Sequence, residues 1–478
     1  MNINIKGNFL ILWIIPLVIW IILYFFLNFD GLYGQDSYEY FRYSKAIHNF
    51  FLTGNNPGDY FWPLYYPVIG AIISLILQNT AMSLMLVSVF SLSISAIYLL
   101  KIIQLLFPKY NQLLILYIIT FYLFSPYVLR SGMVIMSDML AVCFIVLTVY
   151  NYYKIKFKYS ISNFYCIVFF SVLAIMTRYA SIIIVLPFVI VATYRFFKQK
   201  KVFKHIPLLF LIIGIFVLPH FIVRYSNFDS FLSHEWLQSW SITNLFRQNF
   251  TTIDGASNNL YPNIFYGISN AFHPGYFFIG LPLIVITFLK PVFKKVPKLL
   301  LISICLYALF LAGIPFQNNR FLQLSFPLVI ICFFSAFNYL IKRLPKIWLY
   351  VVMSFIFIIQ SLLVLRALKP ILERNHFEIE MAEILKPYQN QTLYSFDIDI
   401  ALKGRGLEFD YLNLWEKRYI NYEEKGLVLF HPTKFKKQWN NKNPILNWNY
   451  LNSNYHLKII LNCPNGWKLY RIQTDIID

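Results

Sequence analysis

Apolar stretches long enough to cross a bilayer recur along most of this chain. The first covers 9–27. Others cover 82–107, 111–129, 138–153, 162–176, 180–197, 206–224, 273–289, 298–314, 320–340 and 346–366. A hydrocarbon core of about 30 Å needs roughly 20 helical residues, so each stretch reads as a transmembrane helix. Lys6 precedes the first stretch and no small-residue cleavage site follows it, so a helix rather than a removable leader is expected there. Residues 37–52 carry apolar side chains at helical spacing among polar ones, the pattern of an amphipathic helix lying on the outer membrane face. The pattern changes after residue 366. Residues 373–386 suit a helix, while 392–396 and 427–430 suit strands. Residues 455–462 and 467–472 flank Asn465-Gly466, a hairpin signal. The expected fold class is an all-α polytopic membrane protein of about 11 transmembrane helices with a small α/β C-terminal domain. Its expected units are 1–366 and 367–478.

Basic clusters fix the expected orientation. Lys109, then Lys154, Lys156 and Lys158, then Arg195 through Lys204, then Lys290 through Lys298, then Lys342, Arg343 and Lys346 fall between alternate apolar stretches. The positive-inside rule places all of them in the cytoplasm. Segment 63–79 decides whether that holds. If it crossed, every later cluster would flip outside. It is short and carries Pro63 and Pro67 near its start, so it is expected not to cross. The N-terminus then lies inside and the C-terminal domain outside. The outer loops include two long ones, 29–81 and 225–272.

Composition agrees with a membrane protein. Of the residues, 58% are apolar and only 13% charged, against about 25% charged in soluble domains. That excludes a soluble enzyme, a disordered chain and a fibrous one. The net charge of +20 reflects cytoplasmic loops rather than a nucleic-acid surface. Only 8 acids fall within 1–366 and 13 within 367–478, so each acid of the membrane part bears separate reading. Cys143, Cys166, Cys305 and Cys332 lie in apolar stretches and read as small core residues, with Cys463 alone in the tail. No metal-ligand spacing, phosphate loop or nucleotide motif occurs, which argues against an ATP-driven pump.

All eight acids fall on the outer side in this topology. Asp36, in Gly34-Gln35-Asp36-Ser37, suits either a helix N-cap or a general base at the membrane surface. Asp138, after Ser137, either caps the helix it opens or shares an acceptor or a metal ion with Asp36, which faces the same compartment. Arg178, in Thr177-Arg178-Tyr179, and Arg320, in Asn319-Arg320-Phe321, are cations on outer turns, against the positive-inside bias. Snorkelling anchors are one reading. The other is a phosphate-bearing ligand, whose oxygens guanidinium groups bind in pairs. His234, Glu235, Asp254 and His273 are expected to shape a pocket or cap helices.

These residues, in this order, resemble the GT-C-fold glycosyltransferases that use lipid-linked sugars, among them protein O-mannosyltransferases and the aminoarabinose transferase acting on lipid A. The resemblance rests on Asp36 with its amphipathic helix, the Pro-Leu-Tyr-Tyr run at 63–66, Ser137-Asp138, Thr177-Arg178-Tyr179 where many members have Thr-Lys, and Asn319-Arg320-Phe321 followed by Pro327. It implies a polyprenyl-phosphate sugar donor in the outer leaflet of the cytoplasmic membrane and a glycan, lipid or protein acceptor. It implies Asp36 as catalytic, and Asp138, Arg178, Arg320 and Glu39 as substrate-binding. Glu39 stands three residues after Asp36, where members carry adjacent acids. The family has metal-dependent and metal-independent members, so a divalent metal is left open. An outer-leaflet polysaccharide polymerase and a non-enzymatic flippase are the alternatives. The first expects basic residues in the large outer loop, where Arg247 is the only one between 225 and 272. The second expects midplane charges and internal repeats, and neither is found in the sequence.

Overall fold

The structure, a computed structural model, describes residues 5–108, 114–200, 202–223, 238–252 and 255–473. Lys109, Lys201, Asp229, His234, Glu235 and Asp254 lie outside the described residues.

The described chain is mostly helical. Helix Ile5–Ile21 runs on through a π turn, Ile22–Phe26. The amphipathic helix is Gly34–Thr53, entered through Gly31 and Gly34, both in the left-handed region. Segment 63–79 contains the helix Tyr65–Leu77. Its 13 residues span about 20 Å at 1.5 Å each, short of the hydrocarbon core. It packs along the first turns of the next helix, Thr80–Leu106. The Tyr66 hydroxyl reaches Ser88 Oγ at 2.8 Å, and the side chains of Ser74 and Thr80 meet at 3.2 Å.

Thr80–Leu106 and Asp138–Phe157 form the buried centre of the membrane part. The first is rich in buried serines, which allow close helix approach. Several bond their own backbone, as Ser91 Oγ does to Val87 O at 2.6 Å. Helix Ile206–Val223 is the opposite case, apolar all round and little buried, as a lipid-facing span should be.

Three apolar stretches are not single straight helices. Stretch 320–340 divides into a 3-10 turn, Asn319–Leu324, and the helix Phe326–Ile341. Stretch 111–129 becomes Leu114–Leu123 and Pro126–Met133, bent by 71°. Pro126 has no N–H to continue the ladder, so the break falls there. Stretch 273–289 divides into Pro274–Phe277 and Gly280–Thr287. Gly280 lies against the Ala271 carbonyl, where a Cβ would stand 1.7 Å away. Among the described residues, five helices are long and apolar enough to cross a membrane, six if the bent pair is one span, and five shorter apolar helices accompany them. Among the cysteines, Cys143, Cys332 and Cys463 are buried and Cys166 is half-buried. Cys305 is exposed on its helix, Lys298–Gly313, so it is not a core residue.

Helix Lys346–Leu385 is continuous for 40 residues, across the expected boundary at 366, and carries Pro370 without breaking. It leads into the sheet domain. Strands β3 (Thr392–Ser395), β4 (Asp410–Asn413), β5 (Leu427–Phe430), β6 (His456–Asn462) and β7 (Lys468–Gln473) stand in the order β4-β3-β5-β7-β6. β3 pairs parallel with β4 and β5, and β7 pairs antiparallel with β5 and β6. The hairpin turns at Asn465-Gly466, both left-handed, as expected. A separate hairpin, β1 (Asn249–Thr252) with β2 (Gly255–Asn258), belongs to the long loop 225–272.

Candidate active site

Four charged residues from four distant segments meet at one place. Asp36 comes from the first turn of the amphipathic surface helix, Gly34–Thr53. Asp138 opens Asp138–Phe157. Arg178 follows the last turn of Ile161–Thr177, in extended backbone. Arg320 lies in the 3-10 helix Asn319–Leu324. Arg320 Nη2 donates to Asp36 Oδ2 at 2.5 Å, and its Nε lies 3.4 Å from Asp138 Oδ2. Arg178 Nη1 donates to Asp138 Oδ1. Two acids and two guanidinium groups therefore form one ion-pair cluster without net charge.

The cluster is graded in burial. The side chain of Asp138 is 0% exposed, Arg178 16%, and Asp36 and Arg320 24% each. Asp138 is thus the buried anchor, and the Asp36–Arg320 side is open to a ligand. A fully buried carboxylate is tolerable only where cations and hydrogen bonds compensate it. Here two arginines do so. The Phe321 ring lies 5.2 Å from the Arg178 guanidinium and 5.9 Å from that of Arg320, a cation–π contact to both.

The capping readings of both acids are overturned. Tyr33 precedes the surface helix. Ser37 Oγ accepts from Tyr33 N–H at 2.7 Å and donates to Gly34 O at 3.0 Å, which closes the helix start without Asp36. Ser137 makes no cap bond, because its hydroxyl meets the Tyr40 hydroxyl at 2.7 Å. Both acids are therefore free to be used in ion pairs. Glu39 is not brought to the cluster. It pairs with Arg42 at 2.9 Å in an exposed contact one turn along. His273 does cap a helix, its Nδ1 accepting from Gly275 N–H at 3.0 Å. Arg247 donates to Asn244 Oδ1 at 3.3 Å, within the large loop.

Sequence reasoning missed the residues that hold this geometry. Tyr40 lies one turn after Asp36 on the same helix face. Burial, and then the Asp36 charge, push its hydroxyl up to about 12, so it stays protonated over the working range. The i, i+4 spacing of Asp36 and Tyr40 would have been the signal. The Arg320 segment is held by tyrosine hydroxyls donating to its carbonyls. Tyr266 donates to Asn318 O at 2.7 Å, Tyr276 to Asn319 O at 2.6 Å and Tyr307 to Phe321 O at 2.8 Å. Asn270 Nδ2 adds a bond to Leu322 O at 2.8 Å. No local pattern in the sequence marks these long-range bonds.

A divalent cation does not fit the cluster as it stands. Among the described residues no three His, Cys, Asp or Glu side chains converge as ligands, and both acids of the cluster face guanidinium groups. A cleft of 670 Å³ in the sheet domain, lined by Glu408, Asp410, Glu423 and Lys425 among others, shares no residue with the cluster.

No protein-family model and no curated protein matches this sequence. Solved structures do. ArnT from Cupriavidus metallidurans bound to undecaprenyl phosphate shares the fold at a TM-score of 0.60 and 11% identity, covering 98% of each chain. ArnT from the same organism in the apo state matches at a TM-score of 0.57 and 9% identity, over 95% of this chain and 97% of that one. At such identity the likeness is one of fold. The GT-C fold that the motifs imply is the fold this chain has.

Proposed function

We propose that the chain is a membrane glycosyltransferase that moves a sugar from a polyprenyl-phosphate donor to an acceptor on the outer face of the cytoplasmic membrane. The observation that carries this reading is the cluster itself. Asp36, Asp138, Arg178 and Arg320, each singled out from sequence, converge in one connected chain of ion pairs. They do so in a fold shared with an undecaprenyl-phosphate-bound protein. Arg178 and Arg320 suit the donor phosphate. Asp36, partly open and on a membrane-surface helix, suits the acceptor.

An acceptor hydroxyl or amine attacks the anomeric carbon and gives its proton to Asp36. The bond from that carbon to the phosphate oxygen breaks, and its electron pair leaves with the lipid phosphate. Negative charge builds on the phosphate where Arg178 and Arg320 can meet it, which lowers the barrier most effectively. Asp138 keeps both guanidinium groups aimed. Without ligand the carboxylates neutralise the arginines, so the incoming phosphate competes with Asp36 for Arg320. That exchange frees Asp36 to meet the acceptor as the donor is seated. Glu39, paired with Arg42, is assigned to the exposed rim of the surface helix.

The proposed architecture has 11 spans, a cytoplasmic N-terminus, a membrane unit 1–366 and an extracytoplasmic unit 367–478. The short reach of Tyr65–Leu77, packed beside the start of Thr80–Leu106, supports segment 63–79 not crossing. Asp36→Asn in cells, with polyprenyl-phosphate sugars read by mass spectrometry, tests the function. Accumulation of one lipid-linked sugar at normal protein level is expected, and it would name the donor. An unchanged profile of lipid-linked sugars would refute the transferase assignment.

A further inference from the structure

A second buried polar cluster lies behind the helix that carries Asp36. Asp36 and Tyr40 share the face turned to the membrane helices. Tyr38, two residues from each, points the opposite way. Its hydroxyl donates to Glu378 Oε2 at 2.6 Å. Glu378 Oε1 accepts from Arg374 Nε at 2.5 Å, and Arg374 donates to Asp397 Oδ2 at 3.1 Å and to Asp397 O at 2.9 Å. The sheet domain also closes directly on Tyr38. A Cβ on Gly404 would stand 2.3 Å from the Tyr38 ring, so glycine alone permits this approach. Arg405 places its guanidinium 5.7 Å from the same ring and pairs with Asp30 at 2.8 Å.

The surface helix is therefore clamped on two faces. One face is tied to the membrane helices through Asp36–Arg320 and Tyr40–Ser137, the other to the sheet domain through Tyr38. The domain end of the clamp is well chosen. Asp397, left-handed at φ 76°, follows the carboxyl end of β3, where β4 and β5 leave to opposite sides. Open α/β sheets commonly receive a ligand in that crevice. Here Arg374 of the long helix occupies it.

We propose that the C-terminal sheet domain sets the position of Asp36, with Tyr38, Glu378 and Gly404 as positioning residues that hold the surface helix in register with Arg320. The chemical role of Asp36 rests on the transferase reading above; the clamp does not. A displacement of about 1 Å at a reacting group can lower turnover on the order of 100-fold, so a small change at Tyr38 is enough.

Two variants test this in the full-length chain. Tyr38→Phe removes only the hydroxyl, and Gly404→Ala pushes on the ring without altering a charge. Spin labels carried by non-natural amino acids at Asn49 and Lys436, both exposed, report the distance between surface helix and sheet domain. Native mass spectrometry reports binding of undecaprenyl phosphate. Both variants are expected to broaden or shift the label distance, lower turnover roughly 10-fold or more, and leave lipid-phosphate affinity within about two-fold. An unshifted, narrow distance in either folded variant would overturn the clamp. Failure of the parent chain to bind undecaprenyl phosphate would count against the transferase reading, and the label distances would still decide the clamp.

Discussion

Removing Arg178 should harm the fold more than removing the acid it serves. Asp138 is wholly buried, whereas Arg178 and Arg320 both reach the surface in part. Breaking a buried pair so that a charge is left behind typically costs about 3–5 kcal/mol. In Arg178→Ala the orphan is Asp138, which keeps only Arg320 at 3.4 Å. That remaining contact holds the cost near the lower end, at about 3 kcal/mol. In Asp138→Asn the orphans are two partly hydrated guanidinium groups, and Arg320 retains Asp36 at 2.5 Å. The expected cost there is about 1–2 kcal/mol, near that of one lost charged hydrogen bond. The double variant should cost less than the sum by about 2 kcal/mol, close to a 30-fold difference in unfolding equilibrium. The assay is equilibrium unfolding by sodium dodecyl sulfate in mixed micelles, with turnover measured in parallel. Stability should partly recover in the double variant, while activity should not, because the phosphate still lacks Arg178. Additive stabilities within about 0.5 kcal/mol, or Asp138→Asn costing more than Arg178→Ala, would refute this account of the cluster.

Three further outcomes follow. Tyr276→Phe strips the donor from the Asn319 carbonyl and should destabilise the fold by about 1–3 kcal/mol, with lower turnover, read by micelle unfolding and by transfer rate. Burial holds the Asp399 carboxyl above its ordinary range, opposed by the Asn413 hydrogen bond, so the folded chain keeps that proton to higher pH than the unfolded one. The resulting stabilisation is complete below the unfolded value and lost as pH rises through the folded value. Asp399→Asn should therefore flatten the acid-side pH dependence of the melting temperature and raise it at neutral pH, as scanning fluorimetry would report. Single cysteines at Lys158 and Arg42, both exposed, should label from the cytoplasm and from outside respectively. Labelling of both sites from the same side would show that segment 63–79 crosses.

The apolar helices were legible because hydropathy reports a single strong requirement, that every backbone polar group in lipid be satisfied within the helix. Asp36, Asp138, Arg178 and Arg320 were legible for a related reason. Charges are so scarce in the membrane part that each survivor stands out. Their partners were not. Tyr266, Tyr276 and Tyr307 donate to backbone carbonyls, which carry no side-chain signature, and the chain holds 35 tyrosines to choose from. Strand β4 was missed because Asp410-Tyr411-Leu412-Asn413 is a short edge strand with little alternation. The N-cap readings of Asp36 and Asp138 failed because Ser37 closes one helix start and Ser137 turned to Tyr40. The bend at Pro126 was missed because 111–129 reads as one apolar stretch, and its angle depends on packing that sequence does not encode locally.

The unbroken helix Lys346–Leu385 makes the domain's position a matter of counting. Its 40 residues reach about 60 Å, twice the hydrocarbon thickness, so about half of it suffices to span and the rest works as a mast that carries the sheet domain. Gln360 fixes the mast within the membrane by donating to Thr120 O at 3.4 Å. Glu378 meets Tyr38 about five turns higher, on the same side of the cylinder. One residue added or removed between them would swing the domain by about 100°. Seven would restore the heading to within about 20° but raise it by about 10 Å. No insertion satisfies both heading and height, so this stretch should accept substitutions at its exposed positions but changes of length not at all.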